Sequence, residues 1–150
     1  MAVVDLPCTR AAAQGDLVSP SRATAASLLP PSFRVTEWWP PGQRIDLGDR
    51  IVELVSLPGH APESIAIVDR VHGQAFVGDS AYADAPLFGN LPGADLAAWR
   101  DSLQRLLQQF PEVQQVYGGH GRWDGNRATL EQAASLLDDA ASGRVAGERL

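Results

Sequence analysis

Three side chains of types that bind metal ions each follow a glycine, directly after a short apolar run. His60 ends the segment LPGH, Asp79 ends FVGD, and His120 ends VYGGH. Imidazole nitrogens and carboxylate oxygens are the protein ligands of zinc and of related divalent cations. A carboxylate between two imidazoles is a set of donors that suits a divalent cation. These three residues are therefore predicted to form a metal site.

Short apolar runs separated by glycine and proline predict the strands that position the first two candidates. The predicted strands cover residues 33–39, 44–47, 51–57, 64–68 and 74–77. Gly48-Asp49 predicts a hairpin between the second and third of these strands, and residues 69–73 predict a second hairpin. His60 and Asp79 then lie where predicted strands end, which is where sheets of this kind collect functional residues.

Helical periodicity replaces the strand pattern in the second half of the chain. An apolar stripe predicts a helix over 94–110, with Asp95 in its first turn and Pro111 at its end. A short strand over 113–117 precedes His120, and an apolar stripe from Leu130 to Ala140 marks a second amphipathic helix that ends at Gly143. This order predicts an α/β fold in which the helices cover one face of a strand-rich sheet.

Length and composition favour one domain over residues 1–150, with a globular core at 33–143, because 45% of the 150 residues are apolar. Residues 1–32 are poorly defined, apart from a helix predicted to begin at Ser19-Pro20 and to end before Pro30-Pro31. His72 is predicted to be a solvated turn residue. Tyr82, in the loop 80–93, is predicted either to contact substrate or to anchor the loop.

The charge pattern argues against nucleic acid as a partner. The 12 basic residues are all arginine, 18 acidic residues give a net charge of -6, and no basic stripe is present. A single cysteine, Cys8, excludes an internal disulfide framework. The start of the chain lacks the pattern of a signal peptide, and no apolar run reaches the roughly 20 residues that span a membrane. A soluble cytoplasmic protein without a membrane partner is expected.

Three segments resemble the metallo-β-lactamase fold metallo-hydrolases. They are LVSLPGHAPESI at 54–65, AFVGDS at 75–80 and GGHG at 118–121. That family shows a P-G-H-[TS]-P-x-S-I turn, a G-D strand end and a P-G-H-G turn in the same order, and a leucine-containing helix commonly separates the last two. The resemblance covers residues 33–123, about the C-terminal half of a family member. It implies a partial αββα sandwich.

The resemblance also implies roles for the three candidates. His60 corresponds to the third histidine of the first metal site, Asp79 to the carboxylate that bridges both metals, and His120 to the last histidine of the second site. One or two divalent ions are implied, usually zinc, with iron or manganese as possible replacements. The implied reaction is attack of metal-activated water on an ester, thioester, lactam, sulfate ester or phosphodiester in a small-molecule substrate.

The sequence departs from the family at one decisive place. The upstream H-x-H-x-D-H motif is absent, since the first of the three histidines is His60. Three interpretations follow. The chain is a hydrolase with half of its metal site missing and weak metal binding, or a noncatalytic truncated fragment or partner-binding module, or a separate chain supplies the missing ligands. A missing N-terminal half would leave a sheet edge and a sheet face to be covered by self-association or by a second chain. Smaller departures are Ala61, in place of threonine or serine, and Gly118, in place of proline, which is expected to loosen its turn.

Overall fold

The computed structural model describes residues 2–4, 36–91 and 93–144, which form strands followed by alternating helices and strands. In chain order these elements are β1 (Ala2–Val4), β2 (Glu37–Trp39), β3 (Arg44–Asp46), β4 (Ile51–Ser56), β5 (Ile65–Asp69), β6 (Gln74–Gly78), α1 (Leu96–Gln109), β7 (Gln115–Gly118), β8 (Gly125–Asn126) and α2 (Arg127–Ala141). The predicted strand-rich α/β architecture is confirmed. The helix predicted before Pro30 lies outside the described residues.

A six-stranded mixed sheet follows the order β3-β4-β5-β6-β7-β8, and β1 and β2 form a separate parallel pair. The predicted hairpins are present, because β3, β4, β5 and β6 pair antiparallel with their neighbours in sequence. By contrast, β6 and β7 are parallel, with α1 in the connection between them. Parallel neighbours end at the same sheet edge, so the pairing of Gly78 with Gly118 brings the segments after β6 and β7 side by side.

The two helices pack on one face of the sheet and close the main core. Alternate strand residues on this face are fully buried, among them Val68, Val77 and Val116. They belong to one apolar cluster with residues of α1 and α2, including Trp99, Leu103, Leu130 and Leu137. The prediction that the helices cover one face of the sheet is therefore confirmed. None of the helices in the described ranges is long and apolar enough to cross a membrane.

The helix boundaries depend on capping contacts that differ from the predicted ones. Asp95 precedes α1 instead of lying in its first turn, and its carboxylate accepts a hydrogen bond from the Ala98 amide (2.9 Å). The second helix begins at Arg127, three residues before the first residue of the predicted apolar stripe. There the Thr129 hydroxyl accepts a hydrogen bond from the Asn126 amide (3.2 Å). Arg127 also donates to the Leu107 carbonyl (3.1 Å), which satisfies an acceptor at the end of α1.

Candidate metal centre

The turn that carries His60 is held against α1. Its Gly59 has a φ of 149°, and a Cβ at this position would lie 2.1 Å from the Cα of Trp99, so a larger residue has no room. The Gly59 carbonyl accepts a hydrogen bond from the Asp95 amide (2.8 Å), and the Ser102 hydroxyl donates to the Pro58 carbonyl. The start of α1 thus fixes the backbone on which His60 is placed.

The turn that carries Asp79 is also attached to α1. Asp79 follows Gly78, the last residue of β6. Gly78 has a φ of 52°, a conformation that favours glycine. The Ser80 amide donates to the Val77 carbonyl (3.1 Å), which closes the turn. The Ser80 carbonyl accepts a buried hydrogen bond from the Trp99 indole (2.9 Å). The same tryptophan is therefore in contact with both of these turns.

The turn that carries His120 lies directly against Asp79. The Gly119 amide donates to the Gly78 carbonyl (2.8 Å), which continues the parallel pairing by one residue. The carboxylate of Asp84 accepts a hydrogen bond from the Arg122 amide (2.7 Å) and closes the far side of the turn. A Cβ at Gly118 would lie 2.4 Å from the Ala81 carbonyl oxygen. This glycine therefore permits a close backbone approach, where the sequence indicated only a loosened turn.

These turns bring the three predicted ligands together around one carboxylate. His60 Nε2 lies 3.6 Å from Asp79 Oδ2, and His120 Nε2 lies 3.5 Å from Asp79 Oδ1. Both distances exceed the usual hydrogen-bond range of about 2.7–3.2 Å. They are close to the separation of about 3.3 Å between two ligands on one tetrahedral zinc, given zinc–ligand bonds of about 2.0–2.1 Å. Each oxygen of Asp79 is thus matched with one imidazole nitrogen.

Aromatic rings pack against both histidines. Trp99 meets His60 edge-on, with ring centroids 5.3 Å apart at 76°, and Tyr82 meets His120 at 5.4 Å and 76°. Tyr82 is buried, and burial raises its pKa, with the negative charge of nearby Asp79 as a further cause. The phenol therefore stays neutral. Of the two predicted roles for Tyr82, its burial supports that of an anchor.

An open cavity of about 410 Å³ lies beside His60 and Asp79. It is lined by His60 and Asp79 together with Glu63, Ile65 and other residues of the same turns. The side chains of His60, Asp79 and His120 are 17%, 37% and 67% exposed, respectively. The Asp79 carboxylate and the imidazole of His120 are thus accessible to a ligand from solvent.

The three candidates form two pairs of donors that share Asp79, and neither pair supplies more than two of the four ligands that zinc usually takes. Within the described part of the chain, no three histidine, cysteine, aspartate or glutamate side chains form a group that could hold one ion. Moreover, the buried His60 Nδ1 has no hydrogen-bond partner among the described residues, although metal-bound histidines usually donate this N–H.

A second polar cluster, formed by Arg50, Asp69 and His72, was not predicted. His72 is not simply solvated, because its Nδ1 lies 2.7 Å from Asp69 Oδ2, and the Asp69 side chain is fully buried. Arg50 approaches the same oxygen at 3.4 Å. The spacing of three residues between Asp69 and His72 within a predicted turn was the available signal. The burial of the aspartate could not be read from the local sequence.

Comparison with known proteins supports the architecture. No family model matches the chain. It is 30% identical over 112 residues to the acyl-coenzyme A thioesterase MBLAC2 of Gallus gallus, a match that covers 73% of this chain and 40% of the relative. A metallo-β-lactamase from Pontibacter korlensis superposes with a TM-score of 0.63 at 24% identity, covering 72% of this chain and 51% of that structure. One from Erythrobacter litoralis has a TM-score of 0.52 at 30% identity, covering 59% and 40%.

The chain thus spans between two fifths and about half of the length of these relatives. The aligned proteins are hydrolases by name, and the shared fold contains the mixed sheet with its two covering helices. The three segments that carry His60, Asp79 and His120 follow one another in the order that the family shows. The chain therefore has the metallo-β-lactamase fold, which confirms the predicted resemblance, and its partial coverage of these relatives fits the C-terminal half of that fold.

Proposed function

We propose that this chain carries one part of a metal-dependent hydrolase centre, in which His60, Asp79 and His120 bind one or two divalent cations, zinc in the first place. The observation that carries the proposal is the position of the Asp79 carboxylate between two imidazoles, at 3.6 and 3.5 Å. These separations are too long for hydrogen bonds and suit ligands that share a cation.

The residues of the chain would have distinct tasks at such a centre. Asp79 places a negative charge between the two positions, which reduces the repulsion between cations. Tyr82 packs edge-on against His120 at 5.4 Å and limits the movement of that imidazole. The cavity beside His60 and Asp79 leaves room for a substrate to approach. A bound divalent cation would polarise the substrate carbonyl and lower the pKa of water.

A thioester is the substrate class that we propose first. The relative with 30% identity over 73% of this chain is named as an acyl-coenzyme A thioesterase. The lactamase with the TM-score of 0.63 is only 24% identical and supports the fold alone. A lactam or an ordinary ester is therefore the second choice among bonds that the same centre could cleave.

The proposed metal centre needs ligands in addition to His60, Asp79 and His120. The sequence contains three histidines, and His72 is engaged with Asp69. A second copy of the chain would bring the same side chains again. We therefore propose that the remaining ligands lie on a different chain or on another part of a longer polypeptide, and that the residues present here bind metal weakly by themselves.

The test is the metal affinity of the chain and of three single variants. Zinc dissociation constants are measured by competition with a chromophoric chelator for the parent, His60→Ala, His120→Ala and His72→Ala. His60→Ala and His120→Ala are expected to weaken binding at least tenfold, as loss of a ligand does, whereas His72→Ala should match the parent. The proposal fails if the parent binds no zinc, or if His60→Ala and His120→Ala bind it as tightly as the parent.

An alternative is a noncatalytic module that contacts a partner. A row of stacked rings favours it: Phe76 lies 4.7 Å from Tyr117, and Tyr117 lies 6.3 Å from Trp123. Phe76 and Trp123 are 42% and 71% exposed, which is unusual for large apolar groups. Sedimentation of the parent and of Trp123→Ala separates the cases, since self-association through these rings would be weakened in the variant. A parent that stays monomeric would remove the self-association form of this alternative.

A further inference from the structure

We propose that Trp99 is a positioning residue that couples the turn of His60 to the turn of Asp79, so that their spacing depends on the docking of α1. The inference deepens the proposed metal function and rests on it for its relevance. The coupling itself is a property of the fold, and it can be measured without metal.

The first half of the coupling is a hydrogen bond. The Trp99 indole N–H donates to the Ser80 carbonyl at 2.9 Å, in a fully buried position. Ser80 directly follows Asp79, so this bond fixes the backbone next to the shared carboxylate. An unpaired buried N–H is energetically unfavourable, which is why the indole and the Ser80 carbonyl stay together.

The second half is the packing of the same residue against His60. The imidazole meets the indole edge-on at 5.3 Å, and its buried Nδ1 has no hydrogen-bond partner in the described part of the chain. At many metal sites a hydrogen bond to this nitrogen sets the direction of the ring. Here the contact with Trp99 takes over that task.

The backbone of the His60 turn is held separately from the indole. The Asp95 amide and the Ser102 hydroxyl bind the carbonyls of Gly59 and Pro58. Removal of the indole N–H should therefore leave this turn attached to α1 and release only the Asp79 turn. Leu103, one turn further along α1 and equally buried, belongs to the apolar cluster. It provides a matched control for loss of packing alone.

The test compares Trp99→Phe with Leu103→Ala in the full chain. The ring signals of His60 are followed by 1H–13C NMR without metal, amide hydrogen exchange is measured at Ser80, and zinc affinity is measured by chelator competition. Trp99→Phe is expected to shift the His60 signals, to speed exchange at Ser80 and to raise the zinc dissociation constant about tenfold, the lower end for loss of an outer-shell contact. Leu103→Ala should lower the urea midpoint and leave the His60 signals in place.

A further variant keeps the test decisive if Trp99→Phe does not fold. Site-specific incorporation of β-(3-benzothienyl)alanine at position 99 retains the bicyclic shape and lacks the N–H donor. It should speed exchange at Ser80 while the contact with His60 is kept. Unchanged exchange at Ser80 in this variant, or equal shifts of the His60 signals in Leu103→Ala and Trp99→Phe, would overturn the coupling. If the parent binds no zinc, the proposed function fails, and the metal-free measurements still decide the role of Trp99.

Discussion

Gly119 lies so close to Asp79 that a Cβ at residue 119 would be 2.2 Å from the carboxylate oxygen Oδ1. Gly119 is not among the glycines with positive φ, so its lack of a side chain serves the close approach and not the backbone conformation. The same oxygen faces His120 at 3.5 Å. The glycine before the third predicted ligand thus makes room for the second.

Gly119→Ala should therefore impair the site more than the fold. The Asp79 side chain is 37% exposed and can rotate away from the new methyl group, so we expect a change of less than about 1 kcal/mol in the free energy of unfolding. Zinc affinity should fall about tenfold, because the shared carboxylate loses its position. In an Asp79→Ala background the substitution should have no further effect on zinc affinity. A further loss in that background would contradict the explanation.

Gly59→Ala should destabilise the whole protein. The new methyl group would overlap Trp99 and the residue would keep a φ of 149°, so the expected loss is about 2–5 kcal/mol from overpacking and backbone strain together. Gly42→Ala is the control, because Gly42 has a φ of 86° with nothing within 4 Å of a Cβ. Urea unfolding should show a clearly larger loss for Gly59→Ala. Equal losses would mean that contact with Trp99 does not matter.

Asp79→Asn should weaken zinc binding at least tenfold, since it removes the negative charge shared by both imidazole positions. The asparagine has nearly the same shape, which keeps packing effects small. Glu63→Gln is the matched control. Glu63 lines the same cavity but does not lie between the histidines, and its substitution also removes one negative charge. Equal loss in both variants would indicate a general effect of cavity charge and would argue against direct ligation by Asp79.

Asp69 should make folding sensitive to acid. The hydrogen bond from the His72 amide lowers the Asp69 pKa below its ordinary value of 3.8, burial opposes this shift, and the His72 ring and Arg50 add to the lowering. A lowered pKa in the folded state means that the carboxylate stabilises the protein above about pH 4 and loses this effect as the pH falls further. Asp69→Asn should therefore be less stable than the parent at neutral pH. The difference in stability between the two proteins should become smaller below pH 3.8.

The measurement for Asp69 is the urea midpoint of parent and variant between pH 7 and pH 2.5. Asp49→Asn, at an exposed position in the turn between β3 and β4, should show no such narrowing. If the difference in urea midpoint between the parent and Asp69→Asn stays constant over this range, the charge of Asp69 does not contribute to stability.

The local patterns of the sequence were sufficient for most of the elements. Short apolar runs between glycine and proline predicted the strands of both hairpins, and the stripe that includes Trp99 and Leu103 predicted α1. These predictions succeed because the period of a strand or helix is a property of neighbouring residues. The ends of the helices were less accurate, since they depend on side-chain caps such as that of Asp95.

The contacts of the site could be predicted only in part. The family motif indicated that His60, Asp79 and His120 belong together, and the folded chain brings them together around Asp79. Nothing in the local sequence indicated that Trp99 would donate to Ser80, or that Asp69 would be buried beside His72. Such contacts join residues by packing and burial, which periodicity does not describe.

By itself, therefore, the sequence determined which residue types are available, their order, and the strands and glycine turns that display them. Tertiary structure alone decided that β6 and β7 run parallel, so that Gly78 pairs with Gly118 and the Asp79 carboxylate comes between two imidazoles. The physical reason is that residues 19 and 41 positions apart in the chain meet only through the pairing of β5, β6 and β7 and the packing of α1 on the sheet. The spacing of the three side chains is a result of that packing.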